Sequence, residues 1–424
     1  MTHVTDLAGL DLSQFIRRGD HIVWGQACGE PTSLIEALLA QAEQIGGLSA
    51  FAATSFSGML DSAAASKIAL SSMGAIGALR TLTEAHQLHI IPCHVSQVGP
   101  LIEQGLIGCD VAFVQVSPPD DEGNHSFGLI NDFMHRAIAK ARVVIAEVNE
   151  QVPFTFGDGM LRAEQITCAV HVSRAPVEVL PAKITQTDQL IARNVARYIE
   201  DGAVLQVGIG AVPDAILRLV HDRRDLGVHS GMLSEAFVDL VEAGVVNNAH
   251  KPFDVGVSVT TALLGTKRLY QYAHRNKQIA LRNSNYTHDA SVLASLPKFV
   301  TINSALEVDL MSQVNAEQSG SHYLGGTGGQ VDFVRAGGRS RGGHSIIALP
   351  ATAKGGKVSR IAVNLSGPVT TARSDADVIV TEFGTAELKG QNLAERARRL
   401  IAIAHPDFRE SLERASHSIQ ERGF

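Results

Sequence analysis

Short β-branched runs alternate with amphipathic helical patterns along nearly the whole chain, and this alternation restricts the fold more than any other feature. Strands are predicted over 21–24, 89–93, 111–116, 143–148, 203–207, 299–302, 346–349 and 378–381, and helices over 31–44, 75–85, 186–199, 212–220 and 394–404. A strand that leads through a helix into the next strand returns to the same end of the sheet, so its neighbour runs parallel to it. The expected class is α/β, with parallel-rich sheets and flanking helices. At 424 residues the chain is too long for one core, and two or three domains are expected.

The chain also echoes itself. Residues 16–36 run glycine, strand, glycine-containing turn, proline and amphipathic helix, and 199–218 repeat that order. Ser57-Gly-Met-Leu60 and Ser230-Gly-Met-Leu233 follow as a second echo. An offset of roughly 170–180 residues is too long for a solenoid and points to duplicated domains. Pro176 and Pro181 mark the seam, giving tandem similar domains over 1–180 and 181–424.

Composition excludes several classes. A net charge of -7 with no basic run argues against nucleic acid as a partner. No apolar segment is long enough to span a bilayer, and the first residues lack the basic-then-apolar order of a signal peptide. Cys28, Cys93, Cys109 and Cys168 are scattered without a Cys-x-x-Cys pair, which suits free thiols in the cytoplasm and gives no zinc site.

Five segments are candidates for chemistry. Gly325, Gly326, Gly328 and Gly329 fall within five positions ahead of Gln330, so the backbone there can approach a phosphate, a thioester carbonyl or a carboxylate closely. Gly208 and Gly210 form a turn between a strand and a helix, whose free amides suit an anion. Residues 226–244 read as a strand end, a tight turn at His229, Ser230 and Gly231, and a helix burying Leu233, Phe237, Leu240 and Val241. Glu30 lies in the turn before the helix predicted from Pro31, where its charge suits the helix N-terminus. The loop over 116–128 holds Asp120, Asp121 and Glu122, read as solvated turn residues because no metal-ligand spacing accompanies them. The seventeen histidines are dispersed and none is assigned as a base.

The run Gly325-Gly-Thr-Gly-Gly-Gln-Val-Asp-Phe333, the Gly29-Glu-Pro31 turn, Gln313-Val-Asn-Ala-Glu317 and Thr381-Glu-Phe-Gly-Thr-Ala-Glu-Leu388 resemble the acetyl-CoA hydrolase/transferase family. That family is a branch of the class I CoA-transferases that includes 4-hydroxybutyrate CoA-transferases. The resemblance implies two CoA-transferase-like α/β domains. It implies acyl-CoA and a carboxylic acid as partners, coenzyme A entering as a substrate thioester, and no metal. It assigns Gly208, Gly210, Ser230, Met232, Gly325, Gly326, Gly328, Gly329 and Gln330 to CoA or acyl binding. Family habit also implies a homo-oligomer, a dimer.

In the family a glutamate between the Ser or Thr and the Met attacks the acyl-CoA and carries CoA as a thioester; here that position is Gly231. Three readings follow. Another carboxylate, from Glu30, Glu235 or Glu317, replaces the nucleophile, and CoA moves between a short-chain or dicarboxylic acyl-CoA and an acid. Alternatively water attacks and the enzyme is an acyl-CoA hydrolase, or the protein binds CoA thioesters without turnover. The expected cleft is lined by 25–30 and 116–128 from the first half, and by 208–210, 229–232 and 325–330 from the second.

Overall fold

The computed structural model describes residues 3–423. The first half builds one wholly parallel sheet from β1 (His3–Asp6), β2 (His21–Trp24), β3 (Ser49–Phe51), β4 (Ala69–Ser72), β5 (Leu88–Ile90), β6 (Val111–Val116), β7 (Val143–Asn149) and β8 (Cys168–Val172). Their spatial order is β1-β8-β7-β6-β2-β3-β4-β5. The register is continuous: Ile22 faces Ala50 on one side and Val111 on the other. Strands β6 and β7 are buried along their whole length, as expected of central strands covered on both faces.

The second half builds a sheet from β9 (Val204–Val207), β10 (Gly227–Val228), β11 (Phe299–Ser304), β12 (His344–Ala348), β13 (Val378–Thr381) and β14 (Gly384–Glu387), in the order β10-β9-β11-β12-β13-β14. Only β14 is antiparallel, because it follows β13 through a tight turn. The class expected from the sequence is the class observed. The halves are not fully separate, since Phe156–Gly157 pairs with Ile279–Leu281 in a small sheet that both share.

Helix α1 (Thr32–Ile45) follows β2, and α2 (Ala211–Leu219) follows β9, so the sequence echo corresponds to two like strand–turn–helix units. Helix α1 buries Leu34, Ile35 and Leu38, spaced along one face. Its first amides, on Ser33 and Leu34, donate to Oε2 of Glu147 at 2.8 and 3.2 Å. The turn at 229–231 leads first into a short strand, Met232–Leu233, and only then into α3 (Glu235–Glu242). Leu233 is therefore buried in the small strand that pairs with Ala262–Leu263, not on the helix as expected, while Phe237 and Leu240 do face the core. The helix expected over 75–85 is shorter, Leu79–Glu84, because Gly77 adopts φ +71° in the turn before it. Among the described residues, no helix is long and apolar enough to cross a membrane.

Apolar packing joins the halves. One buried cluster takes Ala27, Cys28, Leu129 and Ile130 from the first half together with Leu205, Val207, Leu233, Leu263 and Ile302 from the second.

Candidate active site

The carboxyl ends of both sheets converge on a cavity of about 250 Å³. From the first sheet, the segment after β2 supplies Gln26 and Ala27, that after β3 Thr54 and Phe56, that after β4 Met73 and Ile76, and that after β5 Val95. From the second, β9 and its turn supply Gln206 and Ile209, the turn after β10 supplies Gly231 and Met232, and β11 supplies Asn303. In parallel sheets, ligands bind outside these strand ends.

The glycine-rich run closes the cavity and ties it to the first half. Gly326 bridges to Gly74 and Gly328 to His94. Arg80 Nε donates to the Leu324 carbonyl at 2.9 Å, and Ser96 Oγ donates to Asp332 Oδ1 at 2.8 Å. A side chain on Gly326 would lie 3.0 Å from the Cα of Gly74, so glycine permits this close approach of two backbones. Gly328 adopts φ +53°, a conformation glycine reaches without the Cβ penalty. From Gln330 the chain enters α4 (Gln330–Arg339), whose N-terminal end faces the cavity through Gly329 and Gln330. The positive end of that helix suits a developing negative charge.

The polar lining is mostly engaged. Gln26 Nε2 donates to Asp132 Oδ2 at 2.6 Å. Asp132 is buried, and desolvation raises its carboxyl to about 6. Gln206 and Asn303 exchange side-chain amide bonds at 3.3 and 3.4 Å. Gln330 Nε2 donates to Thr371 Oγ1 at 3.2 Å, and the Thr261 hydroxyl donates to the Gly231 carbonyl. Among the described residues lining the cavity, His288 alone has an ionisable side chain. It stands between two glycines. A methyl-sized group on Gly231 would lie 3.1 Å from His288 Nε2, and one on Gly329 would lie 2.7 Å from it. The Phe333 ring packs on the imidazole with centroids 4.7 Å apart. Burial pushes His288 down to about 3, so it is neutral at ordinary pH.

The residues singled out from the sequence fall into groups. Gly231, Met232, Gly326, Gly328, Gly329 and Gln330 line the cavity together. Ser230 lies behind the wall, fully buried, with Oγ 3.3 Å from the Val207 carbonyl. Gly208 and Gly325 are absent from the lining. Gly210 lines a second cavity of about 310 Å³, which shares Ile209 and Leu264 with the first and also holds Glu235.

The candidate carboxylates point elsewhere. Glu30 is fully buried and accepts from Ser55 Oγ at 2.6 Å and from the Phe56 and Ser57 amides at 2.9 Å. It braces the wall instead of entering the cavity. Glu235 accepts from the Thr266 hydroxyl and amide. Glu317 accepts from Thr370 Oγ1 at 2.8 Å and Tyr323 Oη at 2.5 Å. The loop over 116–128, expected at the cleft, lines no part of this cavity. It folds back on itself through Ser117 and His125, and Ser126 Oγ binds the Thr155 carbonyl at 2.8 Å. The rule that loops at strand ends face the cleft failed there because these local bonds turn the loop away. His288 carries no sequence signal, since its significance depends on segments 57 and 41 residues away meeting at one point.

Comparison with known proteins agrees with this architecture. Residues 9–203 match the acetyl-CoA hydrolase/transferase N-terminal domain, and residues 265–416 match the C-terminal domain. The chain is 39% identical over 401 residues to a 4-hydroxybutyrate coenzyme A transferase of Clostridium kluyveri, covering 94% of each. It is 29% identical to an acetyl-CoA hydrolase of Kluyveromyces lactis over 60% of this chain and 51% of the relative. The fold superposes on RipA from Yersinia pestis with a TM-score of 0.93 at 33% identity, covering 99% of this chain and 98% of that one. It superposes on a 4-hydroxybutyrate CoA-transferase of Porphyromonas gingivalis with a TM-score of 0.83 at 34% identity, covering 99% and 98%. The chain belongs to the acetyl-CoA hydrolase/transferase family, whose members are CoA-transferases and acetyl-CoA hydrolases.

Proposed function

We propose that the cavity receives the acyl–thioester end of a short-chain acyl-CoA and that the enzyme hydrolyses the thioester there. The observation that carries this reading is the absence of any carboxylate among the described residues of the lining, at the strand ends where a nucleophile would stand. Gly231 takes the position of the family's glutamate in this reading, and a glycine forms no acyl anhydride or glutamyl thioester. Glu30, Glu235 and Glu317 are held by other partners, which favours attack by a group from outside the protein, water in this reading.

The walls fit such a substrate. Phe56, Met73, Ile76, Val95, Ile130 and Leu264 supply an apolar chamber. At about 250 Å³ it is smaller than the roughly 300–1,000 Å³ of sites that enclose a whole ligand, so it suits one end of a long molecule. The start of α4 at Gly329 and Gln330 supports a thioester oxygen as negative charge develops on it.

A second reading, CoA transfer by direct attack of a carboxylic acid, is favoured by the transferase names of the relatives that cover most of the chain. A panel of acetyl-, butyryl-, 4-hydroxybutyryl- and succinyl-CoA separates the two. Thiol release should proceed for at least one short-chain thioester without an acid acceptor and should not rise with added acetate or succinate. Release that requires the acceptor, with a new acyl-CoA formed, would establish transfer instead.

A further inference from the structure

The cavity has one side chain able to take a proton, and its setting orients it for that role. We propose that His288 is the general base of thioester cleavage, holding a water at Nε2 between Gly231 and Gly329 for attack on the thioester carbonyl. The proposal rests on the hydrolytic reading above and names the residue that performs it.

Thr287 Oγ1 lies 2.9 Å from His288 Nδ1 and 3.3 Å from the Asn283 carbonyl. General-base action requires the tautomer with its proton on Nδ1 and this hydroxyl turned to the carbonyl, which leaves the lone pair on Nε2 facing the gap between the two glycines. Nε2 has no protein hydrogen-bond partner among the described residues, although the ring is otherwise packed against Phe333. Missing side chains at both flanking positions leave that nitrogen approachable. With methyl contacts of 3.1 and 2.7 Å on either side, alanines would crowd it.

The step balances without a further reactant. The water oxygen bonds to the thioester carbon as its proton passes to Nε2. The tetrahedral intermediate then expels the CoA sulfur, the carbon–sulfur bond breaks, and the imidazolium returns the proton to the departing thiolate. The products are a carboxylic acid and free CoA thiol. Burial keeps the resting imidazole neutral, with Nε2 free of a proton, and the same desolvation opposes its charging. The imidazolium forms beside the oxyanion, and in a poorly hydrated cavity their attraction offsets the desolvation that otherwise opposes charging.

The test uses the full-length enzyme with His288→Gln, which keeps an acceptor near Nε2 but cannot carry the proton, and His288→Ala. Three readouts are needed: kcat for thiol release, affinity for a non-cleavable thioether analogue of the best acyl-CoA, and kcat with added imidazole. General-base catalysis contributes roughly 10²–10⁴-fold, so both variants should lose at least about 100-fold in kcat while analogue affinity stays within a few-fold. Imidazole should restore part of the His288→Ala rate. A His288→Gln enzyme that retains kcat within about five-fold would overturn the assignment while leaving hydrolysis intact. Loss of analogue binding in parallel with kcat, with no imidazole rescue, would reduce His288 to a packing role. A wild-type enzyme that releases thiol only with an acid acceptor would defeat the hydrolytic reading itself, and this proposal with it.

Discussion

At the scale of single residues, the site is a packing relation between two glycines and one histidine. A Cβ on Gly329 would lie 2.7 Å from His288 Nε2, a separation that forces the ring to move, whereas one on Gly231 would lie 3.1 Å away. Gly329→Ala should therefore be the more damaging change. Overpacking of this kind costs about 1–3 kcal/mol, and the displaced imidazole should lower turnover further. Gly231→Ala needs a shift of only a few tenths of an ångström and should retain more of both. Thermal unfolding and thiol release on the two variants check this order, and a Gly231→Ala enzyme more impaired than Gly329→Ala would contradict it. Sequence reasoning reached Gly231, Gly326, Gly328 and Gly329 because a glycine cluster and a family motif are visible along the chain. It missed His288, and it offered Glu30 and Glu235 as substitutes, because hydrogen-bond partners cannot be read from spacing. Glu30 is committed to Ser55, Phe56 and Ser57, and Glu235 to Thr266.

At the scale of elements, the strand ends place the lining, and the helices behind them are anchored by buried groups with their own pH dependence. Glu147, on central strand β7, accepts from the first amides of α1 and is fully buried. Desolvation raises its carboxyl from 4.5 to about 7 despite those amides. Below pH 4.5 the group is protonated in both folded and unfolded chains. Between 4.5 and about 7 the unfolded carboxylate ionises while the folded one keeps its proton, so stability falls as pH rises. Above about 7 the loss is complete, on the order of 3 kcal/mol. Glu147→Gln lacks this ionisation. Its stability relative to wild type should improve by that order between pH 4.5 and 8, measured by urea unfolding, and a difference independent of pH would refute the assignment. The central strands were legible because Val111–Val116 and Val143–Asn149 are rich in β-branched residues. Ser49–Phe51 and Ala69–Ser72 were not, since their short Ser- and Ala-rich runs become strands only by pairing with neighbours. The terminal helix Pro406–Glu421 was also missed, as Leu412 is its only fully buried apolar residue and the periodic signal is correspondingly weak.

At the scale of the whole molecule, the cavity exists because two sheets present their carboxyl ends to each other and contacts between the halves hold them there. The shared apolar cluster, the Gly326 and Gly328 bridges and the Ser96–Asp332 bond all fix that approach. The α/β class and the internal echo were legible because they are periodic properties of the sequence. The convergence of β2–β5 with β9–β11 on one chamber was legible only in part, since the loop after β6 shares the strand-end position yet turns away. In the proposed reaction water, not an enzyme carboxylate, attacks the thioester. Turnover of the best short-chain acyl-CoA in ¹⁸O-labelled water, with mass spectrometry of the acid and of the intact protein, tests it most directly. One solvent oxygen should appear in the released acid from the first turnover, with no acyl or CoA adduct on the chain. Label appearing in a protein carboxylate, or a CoA adduct on a glutamate such as Glu30, Glu235 or Glu317, would contradict it.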